Sequence, residues 1–473
     1  MQLCHTRAAT SVRFDDLNLV SAAGLVPALA LAEAAGLRDL AEEHLSVPTD
    51  KGANAGLKVA SLVAGMVAGA DSIDDMALLR HGGMGRLFTK VYAPSTLGSF
   101  LRAFTFGHVR QLDAVASRVL TALGSRTPLL SAPAKEPDRL MLVDVDDTVI
   151  EVHGYAKQGA SFGYTRVRGL NALLATVSTS SCAPVIVAQR LRKGSCGSPR
   201  GAARLVADAL KTVKAMTRGT GRTASAPLLR ADSAFYGRAT IGAAIRAGAH
   251  VSVTVRLNPK VKKTIGAIAD DAWTAIEYPD AVFDEQAQRW VSRAEVAEIG
   301  YTAFAGHPAD AVSGRLVVRR MPDLNPRGKH GQDALFDSWR FHAFFTTTNP
   351  DLLDTVAADR THRAHAVIEQ VHADLKNSAL AHLPSGKFTA NAAWLVLAVI
   401  AFNLTRATAT LTRQPRLAKA TTATIRRTLI AIPARLAHSA RRITLHLPAA
   451  WPWQQAWTEL FSQCCGPPTA ATS

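Results

Sequence analysis

The chain has 473 residues, with 54 Lys and Arg against 37 Asp and Glu, a formal net charge of +17. That length exceeds one ordinary core and calls for about two to four domains, and 48% hydrophobic residues exclude global disorder. The charge excess favours a polyanionic partner, nucleic acid before an anionic membrane surface.

Five cysteines, Cys4, Cys182, Cys196, Cys464 and Cys465, include no CxxC pair, which argues against a zinc ribbon and fits a reducing cytoplasm. The N-terminal MQLCHTRAATSVRFDD lacks the apolar core of a signal peptide. A cytoplasmic location is therefore expected.

Residues 1–135 read as a helical domain, with apolar positions at helical spacing in LVPALALAEAAGLRDLAEEHL and GLKVASLVAGMVAGADSIDDMALL. SAPAKEPDR, residues 131–139, reads as a linker. The texture then changes. RLMLVDVDDTVIEV, NALLATVST and PVIVAQRLR predict three strands of a meander. A helix over 199–216, the strand APLLRAD, the short helix ATIGAAIRAG and the strand HVSVTVR complete a β-β-β-α-β-α-β order across 136–257.

Residues 258–350 read as a β-rich insertion, with strands such as RLVVRRM and WRFHAFFTTT around the loop PDLNPRGKHGQD. A helix over 359–380 follows, within a segment 351–405. The apolar run 392–404 is too short to span a bilayer and predicts a buried helix. Residues 406–473 read as a basic helical region ending in a disordered tail, CCGPPTAATS. Charge is segregated. No acid lies between Glu151 and Asp208, a stretch holding Lys157, Arg166, Arg168, Arg190, Arg192 and Lys193, nor between Asp374 and Glu459. Blocks of one sign predict surfaces that track phosphates.

Three acidic positions stand out. Asp144 and Asp146 share one strand face, because strand side chains repeat every two residues. Asp232 ends the fourth strand, and Glu369 lies on the later helix. Each has a plain alternative: Asp147 and Thr148 ending a strand, Asp232 capping the next helix, Glu369 pairing with His365 or Arg363. Gathered together, such carboxylates repel unless cations intervene. Two Mg²⁺ ions about 4 Å apart would satisfy them and suit in-line phosphoryl chemistry.

The segments DVDDTVIEVHGYAKQGASFGYTRVRGLNALLAT, LLRADSAFYG and IEQVHADLKNSALAHLPSGKFTANAAWLVLAVIAFNLTR occur in this order. In them the chain resembles bacterial insertion-sequence DDE transposases, most closely the insertion-sequence-1380 type, related to the group sharing a Tyr-x2-Arg-x3-Glu-x6-Lys motif. The resemblance implies an α/β fold: an RNase H-like mixed-sheet catalytic core with a β-rich insertion, flanked by helical N- and C-terminal regions. It implies a catalytic, metal-holding triad of Asp146, Asp232 and Glu369, with Asp144 as a near alternative to Asp146. It implies two Mg²⁺ ions, with Mn²⁺ as a substitute.

The resemblance further implies endonucleolytic cleavage at inverted repeats of double-stranded DNA, strand transfer into target DNA through a hairpin intermediate, and a homodimeric synapse in the nucleoid. The N-terminal helical domain and the basic C-terminal region would bind the repeats. Lys376 matches the motif's final Lys and would contact a phosphate. His362 and His365 stand where the motif has Tyr and Arg, with Arg363 nearby, so their phosphate contacts depart from the pattern. Further DNA contacts are expected at Tyr236, Arg190, Arg192 and Lys193.

Rival readings remain. His365, Glu369 and His372 share a helix face and could ligate zinc, although that leaves Asp146 and Asp232 unexplained. Trp273, Trp290 and Trp339 could stack on flipped bases or pack in a core. A DNA-binding relic without catalysis and a structure-specific nuclease are the alternative functions.

Overall fold

The computed structural model describes residues 1, 4–48, 50–130, 140–179, 182–218, 226–284, 289–322, 339–439 and 442–466, with backbone alone for 277–284, 289–293 and 322. The expected linker 131–139 and most of the loop PDLNPRGKHGQD lie outside the described residues.

The N-terminal region is helical as read, with helices Leu25–Ala34, Ala55–Ala68 and Pro94–Arg102 leading to α1 (Phe106–Arg126). Helix α1 starts at Thr105, whose N–H donates to His108 Nδ1 at 3.1 Å, fixing the first turn.

Three strands follow, β1 (Leu142–Glu151), β2 (Arg168–Ser178) and β3 (Val185–Lys193), paired antiparallel. Then come α2 (Ala202–Thr217), β4 (Leu228–Ala231), α3 (Arg238–Arg246) and β5 (His250–Val255). Strand β4 lies parallel to β1, and β5 parallel to β4. The spatial order is β3-β2-β1-β4-β5, a mixed α/β sheet consistent with an RNase H-like core. The inward residues of β2 and β4 are buried on both faces, as helix-covered strands require.

The β-rich segment continues this sheet. Strands β6 (Thr274–Asp284), β7 (Arg289–Ala303), β8 (Val312–Pro322) and β9 (Trp339–Thr346) form an antiparallel meander. Its last strand, β9, returns to pair antiparallel with β5, setting Thr346 opposite Ser252 and Ala343 opposite Val255.

The helix expected over 359–380 is broken. Thr355–Arg363 gives way to a 3₁₀ turn at Ala364–Ala366 before α4 (Val367–Lys376) resumes. The next helix, α5 (Phe388–Thr410), is apolar all round and buried against α1, Ala55–Ala68 and β3. It is long and apolar enough to cross a membrane, yet 89% of its apolar window is buried inside the protein.

Two C-terminal readings are corrected. The region beyond 406 is not uniformly helical: Ala434–Ser439 and Arg442–His446 form a β-hairpin. That hairpin is completed by Leu19–Val20 from the other end of the chain, with Val20 opposite Ala434. Cys464 and Cys465 are not in a tail but close the helix Gln454–Cys465; residues 467–473 lie outside the described residues. One hydrophobic cluster reaches from Val20 to Trp457, so the N-terminal helices, the sheet and the C-terminal region share a core.

Sheet edge β3 is closed by a side chain from α5. Asn403 Oδ1 accepts from the Ile186 N–H at 2.9 Å, and Asn403 Nδ2 donates to the Ile186 carbonyl at 2.8 Å. Asn403→Leu preserves volume but leaves both buried backbone groups unpaired. It is expected to lower unfolding stability by about 2–4 kcal/mol, read as a lower urea midpoint at unchanged slope.

Candidate active site

The site is set by one register. Along the parallel pair β1 and β4, Asp144 stands opposite Arg230 and Val145 opposite Ala231. Asp146 is the next residue of β1 and Asp232 the residue just past the end of β4, and neighbouring strands lie about 4.8 Å apart. Both acids therefore lie on the face that already carries Asp144 and Arg230, one layer further along.

The lower rung is structural. Asp144 is fully buried, and Arg230 grips it with two bonds, Nε to Oδ1 and Nη2 to Oδ2, each 2.7 Å. His365 Nδ1 lies 2.9 Å from Asp144 Oδ1. Arg230 Nη1 also donates to the Thr361 carbonyl at 2.5 Å, tying the helix Thr355–Arg363 to the sheet. Both Asp144 oxygens are thus engaged within the protein.

The upper rung is open. Asp146 is a partly exposed side chain at 23%, and Asp232 is exposed. Asp146 Oδ1 accepts only from the neighbouring Asp147 N–H at 2.8 Å. Asp232 Oδ1 caps the short turn Ser233–Phe235 through Ala234 N–H at 3.0 Å. Capping thus engages one carboxylate oxygen of an exposed side chain. Burial pushes the Asp146 carboxyl up to about 6; Asp147 and Asp232 add like charge, while the Asp147 N–H and His365 pull the other way.

Asp147 points to the opposite face and is held by Arg192 Nη2 at 2.6 Å and Asn171 Nδ2 at 2.5 Å. Arg192 is buried and also donates to the carbonyls of Ser198 and Arg200. It is a structural group rather than a surface one. Arg190 likewise is paired within the protein, bridging Asp113 at 2.7 Å and Asp208 at 2.9 Å. Of the three basic residues expected at this strand end to meet DNA, only Lys193 is exposed.

The helical segment crosses the same sheet face. His362 stacks on Phe344 at 4.1 Å and meets Ser252 Oγ and Thr254 Oγ1 at 2.9 and 3.0 Å. Burial pushes its pKa down to about 3, so it is a neutral packing residue at physiological pH. Arg363 Nε pairs with Asp359 at 2.8 Å. His372 is buried on α4, its Nδ1 3.6 Å from Asp146 Oδ2. Its Nε2 has no hydrogen-bond partner among the described residues, and burial pushes its pKa down to about 4.

Glu369 and Lys376 flank His372 within an arc of about 60° on α4. Glu369 is exposed; Lys376 lines a groove of about 590 Å³ beside Asp147, Thr148 and Tyr164, and burial lowers its pKa. Among the described residues no three His, Cys, Asp or Glu side chains gather closely enough to hold a metal ion. The zinc reading of His365, Glu369 and His372 is thereby set aside, since His365 is committed to Asp144 and His372 faces Asp146. Asp146 and Asp232 offer carboxylate oxygens, the hard donor type that divalent cations take. Glu369 stands on the adjoining helix without joining the pair.

Tyr236 packs on Phe304 at 5.2 Å between centroids, and burial raises its pKa. Trp273 and Trp339 sandwich the Arg320 guanidinium at 4.1 and 4.5 Å, so these two rings already have a cation partner; the Trp290 side chain lies outside the described residues. Sequence reasoning missed Arg230 and Tyr164, and it singled out His372 only within the zinc alternative. The signal for Arg230 was its place two residues before Asp232, mirroring Asp144 before Asp146.

Compared with known families, the chain matches Transposase DDE domain group 1 over residues 4–464. No curated protein matches it.

The raised Asp146 carboxyl has a consequence for stability. The folded protein holds this proton more tightly than the unfolded chain, so the contribution is complete below 3.8 and is lost as pH rises through about 6. Asp146→Asn removes the buried charge at constant shape. In thermal unfolding without divalent cations it is expected to be more stable than the parent near neutral pH, on the order of 2 kcal/mol, with the difference vanishing below the unfolded value.

Proposed function

The chain belongs to the DDE transposase family, and we propose that it is an enzyme that mobilises its own insertion sequence. It binds the element's terminal inverted repeats in double-stranded DNA, cuts there and joins the freed end to target DNA. The finer assignment is the insertion-sequence-1380 type, acting by cut-and-paste through a hairpin intermediate, as a homodimer on the cytoplasmic nucleoid. The motifs around Asp146, Asp232 and Glu369 support it. The observation that carries the reading is the open Asp146–Asp232 rung above a closed, neutralised Asp144–Arg230 rung.

In this reading Asp146 and Asp232, with Glu369, would hold two Mg²⁺ ions, with Mn²⁺ as a substitute. When bound, such ions polarise the phosphate and stabilise the leaving oxygen. The chain's own groups do the rest. Asp144 and Arg230 keep the two strands in register beneath the acids. His372, neutral at physiological pH, backs Asp146 without adding charge. Lys376 sits in the groove where a phosphate near the cut would lie. Lys193 extends the basic rim.

The exposed position of Glu369, apart from the acid pair, favours one second reading, a DNA-binding relic. The test is a gel assay of the purified chain with linear DNA carrying the element's ends, in Mg²⁺ and in Mn²⁺. End-specific cuts with hairpin and joined products are expected. Asp146→Asn, Asp232→Asn and Glu369→Gln should each reduce them by more than about 100-fold, beyond the loss of an outer partner. Asp144→Ala should instead unfold the protein more easily, by about 3–5 kcal/mol, because it strands the buried Arg230. Binding without cutting selects the relic, and cuts without joins select a nuclease.

A further inference from the structure

The turn between β1 and β2 holds three large aromatic rings in solvent. Tyr155 is 93% exposed, Phe162 65% and Tyr164 70%. A single exposed ring needs no explanation; three on one turn beside a groove call for a partner.

The turn is fixed, not loose. Ser161 and Phe162 pair with Gly169 and Arg168 of β2. The Gln158 N–H donates to the Gly386 carbonyl at 2.8 Å, and Lys157 Nζ reaches the Leu383 and Ser385 carbonyls. The rings are therefore presented at low entropic cost on a firm support.

Their surroundings define the partner. The turn lies within the acid-free stretch between Glu151 and Asp208, and the Arg168 guanidinium sits 5.1 Å over the Tyr155 ring. Tyr164 lines the 590 Å³ groove with Asp147 and Lys376. Asp147 of that groove adjoins Asp146 in the chain, so the groove that holds Tyr164 runs beside the strand that carries the acids. Aromatic faces interleaved with basic groups take up single-stranded nucleic acid, because every base has a face to stack.

We propose that Tyr164, Phe162 and Tyr155 form a stacking platform for unpaired bases of the DNA strand whose phosphate lies at Asp146 and Asp232. The identity of that strand rests on the transposase reading; the preference for unpaired bases does not. Tyr164 takes the base nearest the acids, and Phe162 and Tyr155 continue the path outward.

The test is fluorescence anisotropy of the full chain in chelator, where no cutting occurs. The probes are a blunt duplex, the same duplex with an unpaired oligothymidine extension, and the oligothymidine strand alone. The wild type should prefer the two probes with unpaired bases. Tyr164→Ala and Phe162→Ala should each weaken those two by about 5- to 100-fold, leave the blunt duplex unchanged and keep the wild-type melting temperature, while Tyr164→Phe restores binding. Equal binding of all probes by the wild type, or alanine variants that weaken every probe alike or none, would overturn the platform. The cleavage assay separates the two ideas. A chain that prefers unpaired bases but never cuts keeps the platform and loses the transposase; one that cuts and joins without that preference does the reverse.

Discussion

A carboxylate with no solvent exposure sits near the middle of the sheet, and the site depends on how Asp144 is neutralised. An unpaired charge there would cost several kcal/mol. Arg230 meets it with two bonds from the neighbouring strand, and His365 meets it from the helical segment above. A slip of one residue between β1 and β4 would turn Arg230 to the opposite face and strand both charges. The ion pair thus selects the register, and the register sets Asp146 beside Asp232. The same guanidinium binds the Thr361 carbonyl, so the approach of the helical segment is fixed by the group that fixes the strands.

That segment gathers three histidines on one sheet face. His362 lies over β5 and β9, His365 over β1 and His372 further along β1. The 3₁₀ turn at Ala364–Ala366 carries the second contact and redirects the chain between the first and the third. The β-rich segment contributes to the same end. By adding β9 to the edge of β5, it supplies Phe344 as the surface on which His362 rests. Two polar histidines are thereby used as packing groups, their protonated forms suppressed by burial.

The alternation in RLMLVDVDDTVIEV and the position of Asp232 made the acid face legible from the residues alone, as did the strand and helix order of 136–257. The division of labour between Asp144 and Asp146 was not legible, because both share a face and only the cross-strand partner separates them. The hairpin at Ala434–His446 was hidden for a different reason. ARLAHS and RITLH carry helix-forming Ala, Arg and Leu, and their strand state depends on Leu19–Val20, more than four hundred positions away. Tertiary pairing overrides local propensity in such a case. The helical segment expected over 359–380 runs instead from 355 to 376, and its break was not foreseen, since Arg363 to Val367 contain neither Gly nor Pro to announce it.

The net charge of +17 also reads differently once side chains are located. The acid-free stretches look like uninterrupted phosphate-binding surface, but part of their charge is spent inward. Arg190 crosses to Asp113 of α1 and Asp208 of α2. Arg192 neutralises Asp147, and Arg406 lies 3.5 Å from buried Asp374. These arginines hold α1, β3, α2 and the C-terminal segment around the sheet, where planar, multiply donating guanidinium groups outperform lysine. The acids they meet come from other parts of the chain, so local counts of charge could not reveal the pairing. Lys193 and Lys376, by contrast, stay exposed. Long-range attraction of DNA follows from the total charge, but the positioning of one phosphodiester can follow only from groups free to touch it.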